Sequence, residues 1–238
     1  MPGILPASCT SDSRSASRAD LRVLGDEDQD DAAAHRGIHE RPADGKRSLA
    51  GMPGLIPGAG PGWETALLVP VPAAEPAVSR HRARLDQAAR DGVPAHITVL
   101  YPFLSPAGIS EPLLALLAKL FAGTSAFEFT LDRVGWFGEE AVWLGPRDPA
   151  PFSALTSAAF TAFPSCPPYG GQHAEVIPHL TIGHTGGQQA LRAAAESVGP
   201  CLPIDATAAE VTLMAGPRPG TPDTPPGQWR IAAAFPLS

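Results

Sequence analysis

The sequence predicts an α+β fold built from two similar halves with mostly antiparallel sheets. Short strands alternate with helices, and much the same order occurs in the first and in the second half of the chain. The 28 Pro and 24 Gly among 238 residues mark many turns. With 44% apolar and 17% charged residues the chain can form a sizeable core, and it contains no apolar stretch of about 18 residues that would span a membrane.

The first half predicts four strands and two helices. Prolines close the first two strands, Asp91-Gly92 ends the first helix, and a row of leucines gives the second helix a broad apolar face. Ser110 stands where the N-cap of that second helix is expected. The predicted strands are 65–71, 95–101, 127–134 and 141–144, and the predicted helices are 75–90 and 111–122.

The second half predicts two helices and four strands. Pro151 suits the first turn of the first of these helices, and the Pro and Gly residues of 165–172 indicate a loop. The predicted helices are 151–163 and 188–198, and the predicted strands are 179–184, 203–206, 210–215 and 229–235, with a loop at 216–227.

Composition divides the chain into a tail, 1–60, and a folded region, 61–238. No aromatic residue precedes Trp63, and the tail carries an acidic run, so it buries too little apolar surface to offset the entropy of ordering and is predicted to be disordered. The three scattered cysteines, Cys9, Cys166 and Cys201, suggest neither disulfides nor a zinc site, which favours a cytoplasmic location.

Charge argues against binding to long RNA. The whole chain has a net charge of −7, and ten basic against 15 acidic residues give the folded region −5. Long RNA is bound through many cationic contacts to phosphate. A small substrate or a nucleic-acid terminus is therefore expected.

Two histidines share a pattern that the other five lack. His96-Ile97-Thr98 and His179-Leu180-Thr181 each lie in a predicted strand, one in each half and about eighty residues apart. Since strand side chains alternate, the His and Thr of each motif share one face, with branched apolar residues on the other. If the halves pack about a pseudo-twofold axis, the two pairs face each other across a cleft.

This constellation suits the chemistry of a phosphodiester. One imidazole can remove a proton from a nucleophile while the other protonates the leaving oxygen. The two threonine hydroxyls can donate hydrogen bonds to the non-bridging oxygens, where negative charge accumulates. The mechanism needs no metal, no cofactor and no cysteine nucleophile.

The paired motifs resemble those of the 2H phosphoesterase superfamily, and most of all its bacterial 2′-5′ RNA ligase/cyclic phosphodiesterase branch. The resemblance rests on residues 94–103 and 178–184 and covers the chain from Trp63 onward. It implies a bilobal α+β fold, a pseudo-twofold duplication with helices on the outer faces and a central cleft that holds the histidines.

The family's activity supplies further expectations. The resemblance implies action on 2′,3′-cyclic phosphates, which are opened by water or joined to a 5′-hydroxyl, with His96 and His179 as catalytic residues and Thr98 and Thr181 binding the phosphate. We expect a monomer whose partner is a small cyclic nucleotide or an RNA terminus, with no membrane partner. Many relatives have Arg where this chain has His184, which puts preference for a second phosphate or a long RNA in doubt.

Two alternative functions stay open, and several other residues are expected to have structural roles. A non-catalytic RNA- or nucleotide-binding module on the same fold is the main alternative, and an enzyme for another cyclic ester is a second. A metal site formed by His173, His179 and His184 is disfavoured because no carboxylate pattern accompanies it. We expect structural roles for His81 and His173, core positions for Tyr101, Trp136 and Phe137, a place at the cleft entrance for Tyr169, and either face for His184.

Overall fold

The computed structural model describes residues 56, 59, 62–173, 175–218 and 229–238. All of them belong to one compact unit, Ser48–Ser238. The predicted disordered tail lies outside the described residues except for Ile56, which is buried in the core, and Ala59, which packs against the core. Most of the predicted loop at 216–227 also lies outside them.

In the described part of the chain, two four-stranded antiparallel sheets form the framework, which confirms the predicted α+β class. Sheet A has the strand order β2-β1-β7-β8 and sheet B the order β5-β4-β3-β6. The strands are β1 (Trp63–Pro70), β2 (His96–Leu100), β3 (Phe127–Phe137), β4 (Ala141–Pro146), β5 (Leu180–Gly183), β6 (Ile204–Ala208), β7 (Glu210–Pro217) and β8 (Arg230–Pro236). The chain therefore leaves sheet A after β2 and returns to it at β7, so the sheets do not coincide with the halves of the sequence.

The described residues also form five α-helices, most of which pack against the sheets. They are α1 (Glu75–Leu85), α2 (Gln87–Arg90), α3 (Glu111–Ala122), α4 (Ala150–Ala162) and α5 (Gln188–Val198). Two of them cross between the sheets, because α1 follows a strand of sheet A but packs against β5, whereas α4 follows a strand of sheet B but packs against β2. Each edge strand that carries a histidine motif is thus covered by a helix that follows a strand of the other sheet. No described helix has the length and apolar character needed to cross a membrane.

The predicted helix 75–90 is in fact two helices. Asp86 adopts extended backbone angles between α1 and α2, and its carboxylate accepts a hydrogen bond from the Ala88 amide at 3.0 Å. The break arises because Asp86 caps α2 instead of continuing α1. Gly92, with φ of 97°, follows α2 as predicted.

Ser110 occupies the N-cap position of α3 but its side chain makes no capping hydrogen bond, contrary to expectation. Pro112, at the second helical position, has no N–H to donate, which removes one of the two amides that a cap normally binds.

Candidate active site

His96 begins β2 and His179 immediately precedes β5, so the two histidine motifs lie at edge strands that contact each other. β2 is the edge of sheet A and β5 is the edge of sheet B, and the two strands meet. Within each motif the predicted alternation is present, since Ile97, Val99, Leu180 and Ile182 are buried whereas the histidines and threonines are half-buried. The fold therefore brings His96 and Thr98 together with His179 and Thr181.

Both imidazole rings are held in the same way by the backbone. Nδ1 of His96 lies 2.7 Å from the Pro94 carbonyl oxygen, and Nδ1 of His179 lies 2.7 Å from the Ile177 carbonyl oxygen. Because a carbonyl oxygen only accepts, each Nδ1 carries the proton and donates it. In the neutral rings Nε2 is then the available base.

The environment keeps both rings neutral. Burial, reinforced by the nearby Arg82 guanidinium, lowers the pKa of His96 from 6.5 to about 4, although the bond to Pro94 and the Asp86 carboxylate oppose this. Burial also lowers the pKa of His179, against the effect of its bond to Ile177. The charge of His179 also acts on the pKa of His96, so the two rings interact electrostatically.

A buried ion pair behind His96 was not anticipated from the sequence. The side chains of Arg82 and Asp86 are each 2% exposed, and Nε and Nη2 of Arg82 donate to Oδ2 of Asp86 at 3.0 and 2.8 Å. Arg82 also donates to the Val93 carbonyl at 3.3 Å, just ahead of His96. The only sequence signal was the helical spacing of four residues, which usually marks an exposed pair.

The C-terminal end of α1 also holds the segment after the second motif. The Leu85 carbonyl accepts hydrogen bonds from the amides of His184 and Thr185 at 2.8 and 3.0 Å. Since β5 ends at Gly183, the alternation of the strand does not extend to His184, whose Nδ1 lies 3.7 Å from Oδ1 of Asp86. His184 thereby joins the same side of the site as His96.

A cavity of about 190 Å³ lies beside His96. Its walls are mainly apolar, and Tyr101 lines it together with Thr98 and His184. Tyr101 packs against a small buried cluster, as expected of a core position, but it also faces the cavity because β2 ends at Leu100, and its hydroxyl donates to Glu64. Burial and this hydrogen bond raise the pKa of the Tyr101 phenol.

A larger cavity, of about 540 Å³, lies beside His179. Trp136 and Phe137 line it, and Phe137 is 37% exposed, so the expectation that this pair closes a core is wrong for Phe137. His173, expected to be structural, is exposed and lines the same cavity, whereas His184 lines the smaller one. Among the described residues no three His, Cys, Asp or Glu side chains are grouped to hold a metal ion.

Tyr169 joins the two cavities. Its ring lines the larger cavity, while its hydroxyl forms a hydrogen bond with Thr98 of the first motif. Its amide donates to the Tyr101 carbonyl at 2.6 Å, and its φ of 51° turns the chain sharply. Its place at the entrance of a cleft stays a prediction.

Comparisons with known proteins find a family model and several solved structures similar to this chain. The family model described as the 2′-5′ RNA ligase superfamily matches residues 69–218. Among solved structures, E. coli LigT complexed with 3′-AMP is 22% identical, with a TM-score of 0.45 over 74% of this chain and 98% of that chain. The protein TT0787 of Thermus thermophilus is 14% identical, with a TM-score of 0.43 over 73% of this chain and 97% of that one. No curated protein matches the sequence. Because the family match spans more than half of the residues of this chain, the chain belongs to the 2′-5′ RNA ligase superfamily.

Proposed function

We propose that the protein is a metal-independent phosphodiesterase that opens the 2′,3′-cyclic phosphates of nucleotides or RNA ends, and that it can use a 5′-hydroxyl instead of water, as a 2′-5′ RNA ligase. The observation that carries the proposal is the pair of imidazoles on contacting edge strands. Each ring has its Nδ1 bound to a carbonyl two residues upstream and its Nε2 free for proton transfer.

The histidines divide the two proton transfers between them. One imidazole takes the proton of the attacking water or 5′-hydroxyl as its oxygen bonds to phosphorus, and the other protonates the 2′ or 3′ oxygen that leaves. Thr98 and Thr181, which follow the histidines on the same strand faces, donate hydrogen bonds to the non-bridging oxygens. When a 2′-5′ bond is cleaved rather than made, the two histidines exchange roles.

The histidine that acts as the general acid must gain its proton when the substrate binds. Since both pKa values lie below 6.5, both rings are neutral in the free protein at pH 7. A phosphate anion placed between them favours the charged form and raises the pKa of the ring it contacts. Substrate binding thereby generates the acid–base pair at neutral pH.

The assay that tests this proposal is hydrolysis of adenosine 2′,3′-cyclic phosphate in the presence of EDTA. His96→Ala and His179→Ala should each lower the rate by about 10²–10⁴-fold, the usual contribution of a positioned acid or base. His81→Ala is the matched control, because His81 lies on α1 and accepts a bond from Arg80. Near-normal turnover by either motif variant, when folded, contradicts the mechanism. Binding without turnover by the wild-type protein indicates the non-catalytic alternative.

A further inference from the structure

The cavity beside His179 has the size and lining of a binding site for a flat aromatic group. At about 540 Å³ it lies within the range of small-molecule sites, roughly 300–1,000 Å³. Its walls are aromatic and aliphatic side chains together with His173, His179 and one carboxylate. The lining residues are Trp136, Phe137, Gly138, Tyr169, His173, Glu175, Val176, Ile177 and His179.

Phe137 is held rigidly at the edge of this cavity. Its ring meets that of His179 edge to face, with centroids 4.8 Å apart, and lies at 34° to the Trp143 ring with centroids 5.2 Å apart. Trp143 in turn lies directly over Gly135, where an added Cβ would come within 2.2 Å of the indole. Phe137 nevertheless stays 37% exposed. A fixed, exposed aromatic ring beside the reacting group is suited to stack on a base.

The charges around the cavity disfavour a phosphate. None of its described lining residues is Lys or Arg, and Glu175 contributes a carboxylate. The adjoining depression on α4 shares Glu175 and His173, and none of the described residues that line it is Lys or Arg. On the other side of Trp136, a groove carries Glu139 and Glu196, and its Arg192 lies 3.6 Å from Glu139. A second phosphate bound here would therefore face carboxylates.

Building on the proposed function, we propose that this aromatic cavity binds the base of the second nucleoside of a 2′-5′-linked dinucleoside monophosphate, and that it selects second nucleosides without a phosphate of their own. In the cleavage reaction the 3′-hydroxyl oxygen of the first nucleoside bonds to phosphorus as the bond from phosphorus to the 5′ oxygen of the second breaks. One histidine takes the proton of the 3′-hydroxyl and the other gives a proton to the 5′ oxygen. The products are a 2′,3′-cyclic phosphate and a nucleoside with a free 5′-hydroxyl.

The experiment compares two substrates in the full-length protein. One is 2′-5′-linked adenylyl-adenosine, which fills the cavity, and the other is adenosine 2′,3′-cyclic phosphate, which has no second nucleoside. Trp136→Ala, which removes the indole that lines the cavity beside Phe137, should lower kcat/KM for the dinucleoside by about 5–100-fold, the range expected for loss of an aromatic contact to a base, and change hydrolysis of the cyclic phosphate less than threefold. Phe160→Ala is the control, because Phe160 is 38% exposed but lines only the neighbouring depression.

A charge reversal tests the exclusion of phosphate. The wild-type protein should cleave the dinucleoside at least about tenfold faster, in kcat/KM, than the same compound with a 3′-phosphate on its second nucleoside. Glu175→Lys should reduce this preference by about tenfold. Glu128→Lys, the same charge change at an exposed position of β3, should leave the preference unchanged.

The outcomes separate this inference from the proposed function. A wild-type protein that hydrolyses the cyclic phosphate but whose Trp136→Ala variant loses both activities equally, or neither, overturns the cavity assignment alone. Equal or better cleavage of the phosphorylated dinucleoside overturns the phosphate exclusion. A protein that acts on neither substrate overturns the proposed function and this inference with it.

Discussion

The burial of His96 has a cost that should appear in the stability of the protein at low pH. Unfolded, the imidazole titrates near 6.5, whereas in the folded protein its pKa is about 4. Between these values the unfolded chain binds the proton and the folded protein does not, so stability falls as the pH falls through this window. Between pH 7.5 and pH 4.5 the loss from this one residue is about 2.5 kcal/mol.

His96→Gln removes the titrating group and should remove this loss. The free energy of unfolding, measured by urea denaturation at both pH values, should fall by about 2.5 kcal/mol less in the variant than in the wild type. Titrating groups that do not interact with His96 contribute equally to both proteins and cancel. His81→Gln serves as a comparison, because His81 is less enclosed and its removal should change the pH dependence less. Parallel pH dependence in the wild type and in His96→Gln would refute the reasoning.

Three further predictions concern the same site. Because the free protein's histidines both have lowered pKa values, kcat/KM for adenosine 2′,3′-cyclic phosphate should be highest below pH 6.5, and a pH–rate profile with its maximum near pH 8 contradicts this. Arg82→Met should destabilise the protein by about 3–5 kcal/mol in urea denaturation by removing the guanidinium that neutralises the buried Asp86 carboxylate, and Arg82→Met/Asp86→Asn should cost clearly less; equal losses contradict a charge effect. Gly135→Ala should force Trp143 away from Phe137, cost about 1–3 kcal/mol and lower activity, while Gly199→Ala, whose added Cβ meets nothing within 4 Å, should do neither.

The fold class and the placement of the motifs could be read from the sequence because both follow from local patterns. Alternation of apolar and polar residues placed Ile97 and Leu180 on the buried side of their strands, and Pro and Gly marked most element ends correctly. The elements Glu111–Ala122 and Gln188–Val198 have the predicted limits.

What could not be predicted depends on contacts distant in sequence. No local pattern marks Arg82 as buried, and its guanidinium is buried because Asp86 and the Val93 carbonyl accept its hydrogen bonds. Tyr101 and His184 follow the last residues of their strands, so the period of two that places strand side chains no longer applies to them. Phe137 faces the site because Gly135 gives Trp143 space beneath it, a packing relation that no local pattern encodes.

Because α1 and α4 each pack against a strand of the opposite sheet, the two sheets are coupled in unfolding. Each histidine strand loses its cover if the helix that follows a strand of the opposite sheet detaches. Neither sheet can therefore unfold alone and leave the histidine motif of the other sheet covered. Both histidine motifs therefore depend on one cooperative unit. A destabilising change in either sheet lowers the fraction of molecules in which both motifs are in place, and does not affect only the motif nearer to the change.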